Sequence, residues 1–376
     1  MIMTFDEMRQ SCAGFTAQAV SRLITKLPIA LQKAENLDFI PYTVKDGKWV
    51  PGPFDGICWW TNGFWPAYMW AGWRLTGDER YKREAERAEA CLDEAFSEFD
   101  HLHHDVGFMW LISSGASFRM TGSDLSRKRT LAAANLLAGR FNPAGFIRAW
   151  NEDRTGWAII DCMMNLNLLY WASEYTGDPR FRKIAMTHAD TAMRHFVRED
   201  GSCNHIVVFD PETLKVLDTP AGQGYAPGSA WSRGQAWAVY GFTLSYLHTD
   251  NEAYLAVAKK TASYFIDQVK EDWLPKCDFR QPAEDELRDA CAGAVAASGL
   301  LELARCTGEK EWLDAGVNLL RALDERTADW TDASPAILTQ CTGAYHGNDH
   351  NIAMIYADFF FAEALLKLNG DSFLFW

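Results

Sequence analysis

Two carboxylates in unlike surroundings are the residues of this chain best suited to do chemistry. Asp161 stands in an otherwise apolar stretch, residues 158–166, and Asp105 follows two histidines, His103 and His104. Taking an ionised carboxylate out of water is costly, so such a site either keeps the acid protonated or surrounds it with hydrogen-bond partners. Carboxyl pairs in different environments are typical of general acid and base catalysis.

The protonation state of Asp161 depends on two opposing effects. Ile159, Ile160 and Met164 would bury the carboxyl group, and full burial can raise a carboxyl pKa by about 3–5. A helix N-terminus would lower it, but dipole effects amount to roughly 0.3–1 kcal/mol. We therefore predict a protonated acid near neutral pH, on one helix face with Asn165. The alternative is a structural aspartate that caps the helix.

Other polar and aromatic residues cluster in similar positions. Arg233, at a predicted helix start in an apolar setting, is a candidate for bidentate binding of a carboxylate. The histidines at 101–104 fit no standard zinc spacing, so we favour orientation of Asp105 by one of these histidines or by the adjacent backbone over a metal site. Tryptophan faces are suited to sugar rings. The candidates are Trp60, Trp65, Trp150, Trp231 and Trp237.

A repeated signature predicts the scaffold that holds these residues. Helix-length segments end in short sequences of the Thr-Gly-Asp type, about 45 to 73 residues apart, which is too long for the common solenoid repeats. A glycine just past a helix supplies a left-handed residue, and a following Asp or Ser can cap the next helix. The six signatures lie at residues 77, 122, 177, 250, 308 and 370.

The segments on the two sides of each signature differ in character. Those before it are apolar on most sides and predict inner helices, whereas those after it carry one charged face and predict outer helices. The N-terminal helix near 4–26 would be the sixth outer member, and 204–216 is a possible hairpin. We predict an all-α fold, an (α/α)6 barrel of six helical hairpins forming one domain over 1–376; an open helical array is the alternative. The predicted inner segments are 61–76, 105–120, 157–175, 233–248, 290–306 and 351–368.

Closure into a barrel would gather the candidate residues at one mouth. The tight turns would lie at one end, and the long loops at the other, beside the N-termini of the inner helices. Each N-terminus carries about half a positive charge, so this mouth would favour an anionic ligand.

The overall charge restricts the possible partners. A net charge of −14 over 376 residues argues against nucleic acid and anionic membranes, which would be repelled. We expect no secretory signal and no membrane span, because no basic segment followed by an apolar run starts the sequence and no run is long enough to cross a bilayer. Nine cysteines without zinc or redox spacing fit a reduced, cytoplasmic location.

Five segments in one order along nearly the whole chain carry a family resemblance. They are 60–65, 103–108, 160–166, 231–237 and 359–366. With these segments the chain resembles the unsaturated glucuronyl hydrolases, family 88 of the glycoside hydrolases. The resemblance implies the same six-hairpin barrel.

The resemblance also implies a reaction, a hydration that releases unsaturated glucuronic acid from oligosaccharides made by polysaccharide lyases. The C4=C5 enol ether is protonated at C4, water adds at C5, and the hemiketal collapses. Asp161 matches the acid/base, and Asp105 matches a second carboxylate that contacts ring hydroxyls and stabilises positive charge. No metal or organic cofactor is implied, and we expect a monomer or homodimer. The matching substrate contacts are Trp60, His104, Trp150, His205, Gln223, Ser229, Arg233, Trp237, Tyr345 and His346.

Some residues depart from the family pattern. Asn62 stands where an acidic residue is expected, and residues 347–351 lack any Lys or Arg that would pair with a substrate sulfate. Unsulfated glycosaminoglycan or exopolysaccharide fragments are therefore the predicted substrates.

Three other functions stay open from the sequence. An unsaturated rhamnogalacturonyl hydrolase, acting on pectin fragments, would have Asn-Gly in place of Gln235-Ala236. A sugar 2-epimerase on a similar barrel would use histidines as its acid/base groups. A non-catalytic sugar-binding protein would not need Asp105 and Asp161 at one mouth.

Overall fold

Helices in two concentric layers dominate the computed structural model, which describes residues 4–52, 56–151 and 153–376. The inner helices are α3 (Phe64–Thr76), a continuous helix in which the π-helical segment Leu111–Gly115 joins α5 (Val106–Trp110) to α6 (Ala116–Thr121), α8 (Cys162–Thr176), α10 (Ser232–Thr249), α12 (Ala290–Thr307) and α14 (Ile355–Leu368). The outer helices are α2 (Ala13–Gln32), α4 (Glu79–Cys91), α7 (Asp124–Gly139), α9 (Pro179–His195), α11 (Glu252–Val269) and α13 (Lys310–Arg326). A short helix, α1 (Phe5–Arg9), precedes them.

The inner helices form a closed ring. Each contacts the next in chain order, and α14 contacts α3 to complete the circle. Each outer helix packs on an inner one, with α2 lying on α14 as the sixth outer member. Every residue of α14 is buried, as expected for a helix that is apolar on most sides. The predicted all-α barrel is confirmed, and the open helical array is wrong.

The turns between inner and outer helices follow the predicted signature. Five inner helices end in a left-handed residue, and the next residue often caps the outer helix. Asp78, for example, accepts a hydrogen bond of 2.9 Å from the amide of Arg80. The left-handed residues are Gly77, Gly122, Gly177, Asp250 and Gly308.

Short strands lie among the loops at the other end. Strands β1 (Thr43–Lys45) and β2 (Lys48–Val50) form one hairpin, and β3 (Phe141–Asn142) and β4 (Phe146–Ile147) form another. A three-stranded antiparallel sheet joins β5 (Trp157–Ile159), β6 (Ile206–Phe209) and β7 (Val216–Asp218). The hairpin predicted near 204–216 is therefore present.

Two predicted helix starts are wrong. The inner helix expected over 157–175 begins only at Cys162, because residues 157–159 pair with β6, Ile159 lying opposite Ile206. Trp157 is therefore not on the helix that follows Asp161. The helix expected over 351–368 begins at Ile355.

Aromatic side chains fill the middle of the barrel. Trp376 stacks on Phe360 with ring centroids 5.7 Å apart, and its other neighbours include Phe108 at 5.8 Å. A site can therefore form only toward the barrel ends. Throughout the part of the chain that the structure describes, each helix is too short or too polar to traverse a lipid bilayer.

Candidate active site

A cavity of about 450 Å³ opens at the barrel end where the inner helices begin. Asp105 precedes α5 and Asp161 precedes α8, so helix starts bring the two carboxylates to one cavity. Aromatic and polar side chains share its wall, as is typical of ligand pockets. The lining residues are Cys58, Trp59, Trp60, His103, Asp105, Met109, Trp150, Arg154, Ile159, Asp161 and Gln223.

Asp161 occupies the N-cap position of α8 but does not cap it through its side chain. The residue is 9% exposed, and its Oδ1 atom has no hydrogen-bond partner among the described residues. Burial raises the pKa of Asp161 to about 7, although the positive charge of Arg233 opposes the rise. A substantial fraction of Asp161 is therefore protonated at neutral pH.

Asp105 is held between α5 and α8. Burial, and then the negative charge of Asp161, raise the pKa of Asp105 to about 8, while Arg140 and a hydrogen bond from Asn165 oppose the rise. Asn165 also accepts a hydrogen bond of 2.9 Å from the Phe108 amide, which joins the two helices.

The helices approach so closely at this point that only glycine fits at position 107. A Cβ atom on Gly107 would lie 2.6 Å from Oδ1 of Asn165. The side chain that bridges the two carboxylate-bearing segments therefore depends on this glycine.

Two buried histidines stand beside the carboxylates. Nε2 of His104 lies 3.3 Å from Asp105, and Nε2 of His205 lies 3.7 Å from Asp161. Burial lowers the pKa of His205 to about 3 and that of His104 well below its usual value, so both rings are neutral. Neutral rings offer hydrogen bonds to a ligand without adding charge.

The loop around Gly222 orients His205. The amide of Gln223 donates a hydrogen bond of 3.1 Å to Nδ1 of His205, which assigns the ring hydrogen to Nε2, on the Asp161 side. Gly222 has a φ of +60°, and a Cβ atom there would lie 2.1 Å from Nδ1 of the same ring. Only glycine allows the loop to approach this closely.

Arg140 positions the loop that carries Trp150. Its guanidinium group donates to the carbonyl oxygens of Leu102, Arg148, Ala149 and Trp150, at 2.9 to 3.0 Å. The indole of Trp150 is thereby fixed at the cavity wall. The sequence carried no sign of this role, because the acceptors are backbone atoms.

The guanidinium group of Arg233 has partners within the protein, whereas the sequence predicted that it binds a ligand carboxylate. It is 1% exposed, and its Nη1 donates to Asp289 at 2.5 Å and to the Thr342 carbonyl at 2.8 Å. Its Nη2 donates to the Gly343 carbonyl at 2.8 Å. Both ends of the guanidinium fork are therefore occupied by the protein, and Arg233 does not line the cavity.

Removing the carboxylate of Asp289 should destabilise the fold strongly. In Asp289→Ala, Arg233 stays buried without its counter-ion, so the free energy of unfolding should fall by about 3–5 kcal/mol. Urea unfolding curves measure this loss. The matched control is Asp267→Ala, which breaks the exposed Lys270–Asp267 pair and should cost less than about 1 kcal/mol. Equal small losses in both variants would contradict the proposed importance of the buried pair.

Four other predicted contacts lie away from the lining of this cavity. The Ser229 hydroxyl donates to Asp278 at 2.6 Å, and His346 contacts the carbonyl of Tyr225 at 2.7 Å. Trp237 is fully buried against Phe108, with ring centroids 5.3 Å apart. The remaining one, Tyr345, bonds through its hydroxyl to Asp285.

The predicted residues thus fall into three groups. Those lining the cavity are Asp105, Asp161, Trp60, Trp150 and Gln223. Those in contact with the carboxylates from behind are His104 and His205. Those that the structure places elsewhere are Ser229, Arg233, Trp237, Tyr345 and His346.

Arg154 lines the cavity and was missed by the sequence reasoning. Its guanidinium carbon lies 5.2 Å from the ring centroids of both Trp150 and Trp157. The spacing of an arginine between two tryptophans was a usable signal, since guanidinium groups stack on indole faces.

A closed helical barrel with two buried carboxylates at its mouth is the arrangement of a glycoside hydrolase, and similar proteins agree. No protein-family model matches the chain. An unsaturated glucuronyl hydrolase from Bacillus sp. (strain GL1) is 37% identical over 332 residues, which are 84% of this chain and 88% of that protein. The crystal structure of the enzyme from Bacillus sp. GL1 has a TM-score of 0.89 at 33% identity, covering 94% of this chain and 97% of that chain.

A second solved structure comes from a streptococcal relative. It is a variant of the Streptococcus agalactiae unsaturated glucuronyl hydrolase complexed with dGlcA-GalNAc6S. The TM-score is 0.80 at 27% identity, covering 96% of this chain and 93% of that chain. This chain belongs to the unsaturated glucuronyl hydrolases. The comparisons favour this family over the rhamnogalacturonyl hydrolases.

Proposed function

We propose that the protein removes the Δ4,5-unsaturated glucuronic acid from the non-reducing end of lyase-generated oligosaccharides by hydrating its C4=C5 double bond. The proposal depends mainly on the burial and the raised pKa of Asp161. It is a buried carboxyl group with a pKa of about 7 and one oxygen atom without a partner among the described residues. Asp161 also lines the cavity, and a proton donor for neutral pH needs both access to the substrate and a raised pKa.

Asp161 acts first as acid and then as base. It donates its proton to C4 of the enol ether, and positive charge develops at C5 and the ring oxygen. The resulting carboxylate takes a proton from water as the water oxygen bonds to C5. The product is a hemiketal at C5. Its ring opens to a ketone, and the hemiacetal left at C1 breaks to an aldehyde and the free partner sugar.

Asp105 supplies the second carboxylate, which contacts ring hydroxyls and stabilises the positive charge. Since the charge of Asp161 is one cause that raises the Asp105 pKa, protonation of Asp161 makes ionisation of Asp105 easier. In the working state the two groups hold one proton between them, and the reaction requires that proton to be on Asp161 and not on Asp105, whose pKa is the higher of the two. A negative Asp105 then faces the cation that forms at C5.

The neutral histidines and the aromatic walls bind the sugars. Nε2 of His205 and the ring of His104 offer hydrogen bonds beside the two carboxylates. Trp60 and Trp150 provide flat faces at the cavity wall, Trp150 for the departing sugar. Gln223 lines the cavity, while its side chain donates to the Gly343 carbonyl at 2.6 Å.

The predicted contacts that lie away from both the cavity lining and the carboxylates act mainly by holding loops. Arg233 and Gln223 both bind the carbonyl of Gly343, so they fix the loop that leads to Tyr345 and His346. Ser229 holds its own loop through Asp278. Trp237 packs beneath the site and supports Phe108.

The cell compartment and the assembly are also proposed. All nine cysteines are free thiols in the structure, which suits a reducing cytoplasm, where the small products of extracellular lyases would be degraded after uptake. The chain acts as a monomer or homodimer. Light scattering of the purified protein distinguishes these two states from larger assemblies.

The activity should fall as pH rises above about 7. Because Asp161 must carry a proton to protonate C4, kcat/KM should drop about tenfold for each pH unit once Asp161 is ionised. A pH profile of kcat/KM measures this limb in the free enzyme. An activity that keeps rising between pH 7 and pH 9 would contradict the assignment of Asp161 as the acid.

A substrate panel tests the proposed reaction. Unsaturated disaccharides prepared with glycosaminoglycan lyases and with pectin lyases are incubated with the protein, and the ultraviolet absorbance of the conjugated double bond is followed. We expect loss of absorbance with glycosaminoglycan disaccharides. Persistent absorbance with every glycosaminoglycan disaccharide would contradict the proposal, and turnover of the pectin disaccharide alone would favour the rhamnogalacturonyl alternative.

A further inference from the structure

One cation at the cavity wall has no part in the proposed reaction. Arg154 is exposed, yet it lines the same cavity as Asp105 and Asp161. Its guanidinium carbon is 5.2 Å from both the Trp150 and the Trp157 ring, so two indoles limit where the charge can move. A charge placed in this way is more ordered than that of an ordinary surface arginine.

The charge of Arg154 is available to a ligand. Within the described residues no carboxylate forms an ion pair with Arg154, although the neighbouring Asp153 is also exposed. The protein as a whole carries a net charge of −14, and Asp105 and Asp161 share the cavity. An anionic ligand would therefore find its main positive charge at this wall in Arg154.

Depth in the cavity indicates which part of the substrate Arg154 meets. Asp161 is 9% exposed and lies at the inner end, whereas Arg154 is exposed and Trp150 is half-buried. The unsaturated residue reacts at Asp161, so the sugar that leaves must lie farther out. In the proposed reaction this sugar stacks on Trp150, the indole that also contacts Arg154.

We propose that Arg154 binds a sulfate ester on the leaving sugar and so determines specificity; the inference rests on the proposed function. A sulfate extends beyond the edge of a sugar ring, and a guanidinium beside the stacked ring can donate two parallel hydrogen bonds to its oxygens. The sequence prediction of unsulfated substrates rested on residues 347–351, which lack Lys and Arg. Arg154 supplies the missing cation from a different loop.

The test compares three disaccharides that differ only in sulfation: dGlcA-GalNAc, dGlcA-GalNAc4S and dGlcA-GalNAc6S, where dGlcA is the unsaturated glucuronyl residue. The quantity measured is the ratio of kcat/KM for a sulfated to the unsulfated substrate. Arg154→Gln should lower this ratio about 10- to 100-fold for at least one sulfated disaccharide, as expected for loss of a charge-assisted hydrogen bond. Arg154→Lys should retain part of the preference, and added salt should weaken it in the wild type.

The matched control is Arg180→Gln. Arg180 is also exposed and also stacks on an aromatic ring, Phe181, at 4.4 Å, but it begins an outer helix away from the cavity. Its loss should leave the ratio unchanged.

Two results would overturn the proposal for Arg154. An equal loss of kcat/KM on all three substrates would show that the residue acts only by supporting Trp150. Values of kcat/KM that are unchanged on all three substrates would show that Arg154 is a solvated charge without a role in binding. Failure of the wild type to turn over any disaccharide would instead count against the proposed function. Calorimetric binding of the three disaccharides to wild type and Arg154→Gln then still decides whether Arg154 recognises sulfate.

Discussion

Replacing Asp161 with asparagine is expected to lower kcat by about 10²–10⁴-fold while substrate binding is largely retained. Asparagine has nearly the same shape but no acidic proton, so C4 of the enol ether cannot be protonated. The base that activates water is lost by the same change. Because the substitution removes a carboxyl group that is costly to bury, the fold itself should not be weakened.

Single-turnover kinetics and calorimetry separate the two effects of Asp161→Asn, on chemistry and on binding. The matched control is Asp358→Asn, which alters another buried carboxyl group whose pKa burial raises to about 7. Asp358 accepts hydrogen bonds of 2.8 Å from the amides of Ile337 and Leu338 and does not line the cavity, so its variant should lose stability and keep kcat. Near-wild-type turnover by Asp161→Asn would remove this residue from the mechanism.

Asp105→Asn should reduce kcat by about 10²–10³-fold, the range seen when one group that stabilises transition-state charge is removed. The asparagine side chain leaves the developing positive charge at C5 without its counter-ion. The effect of the substitution is electrostatic, so the hydrogen bond from Asn165 and the contact with His104 can persist.

The pH profile of Asp105→Asn distinguishes an electrostatic role from a structural one. A purely structural role of Asp105 would not shift the pH at which the residual activity is lost. The charge of Asp161 raises the Asp105 pKa, and by reciprocity an ionised Asp105 raises the pKa of Asp161. Removing it should therefore move the alkaline limb of the residual activity to lower pH. A loss of activity with an unmoved limb would indicate that Asp105 is too far from Asp161 to act on the same reaction.

The barrel could be predicted because the residues that end its inner helices can be recognised from the local sequence. Gly77, Gly122, Gly177 and Gly308 each end an inner helix in the left-handed conformation, and the sequence shows such residues directly. Asp250 ends its inner helix in the same left-handed conformation although it is not a glycine, and only its position in the repeat identified it. The start of α8 was misplaced because pairing of residues 157–159 with β6 is a contact between segments about 50 residues apart.

The site was predictable where burial alone carries the signal. A carboxylate in an apolar run, such as Asp161, must be protonated or satisfied, and the run is visible in the sequence. The contacts of Arg233 within the protein could not be predicted, because its partners, Asp289 and the carbonyls of Thr342 and Gly343, are distant along the chain. Arg154 was overlooked although it lies between Trp150 and Trp157 in the sequence, because only the fold shows that its side chain contacts both rings.

Reaction in heavy water distinguishes protonation of C4 followed by addition of water at C5 from direct cleavage of the glycosidic bond. The wild-type protein is incubated with an unsaturated glycosaminoglycan disaccharide in D2O, and the keto-acid product is analysed by NMR and mass spectrometry. We expect one deuterium at C4, delivered to a single face, with loss of the double-bond absorbance at the same rate. Release of the partner sugar with the double bond intact and no deuterium at C4 would contradict this expectation.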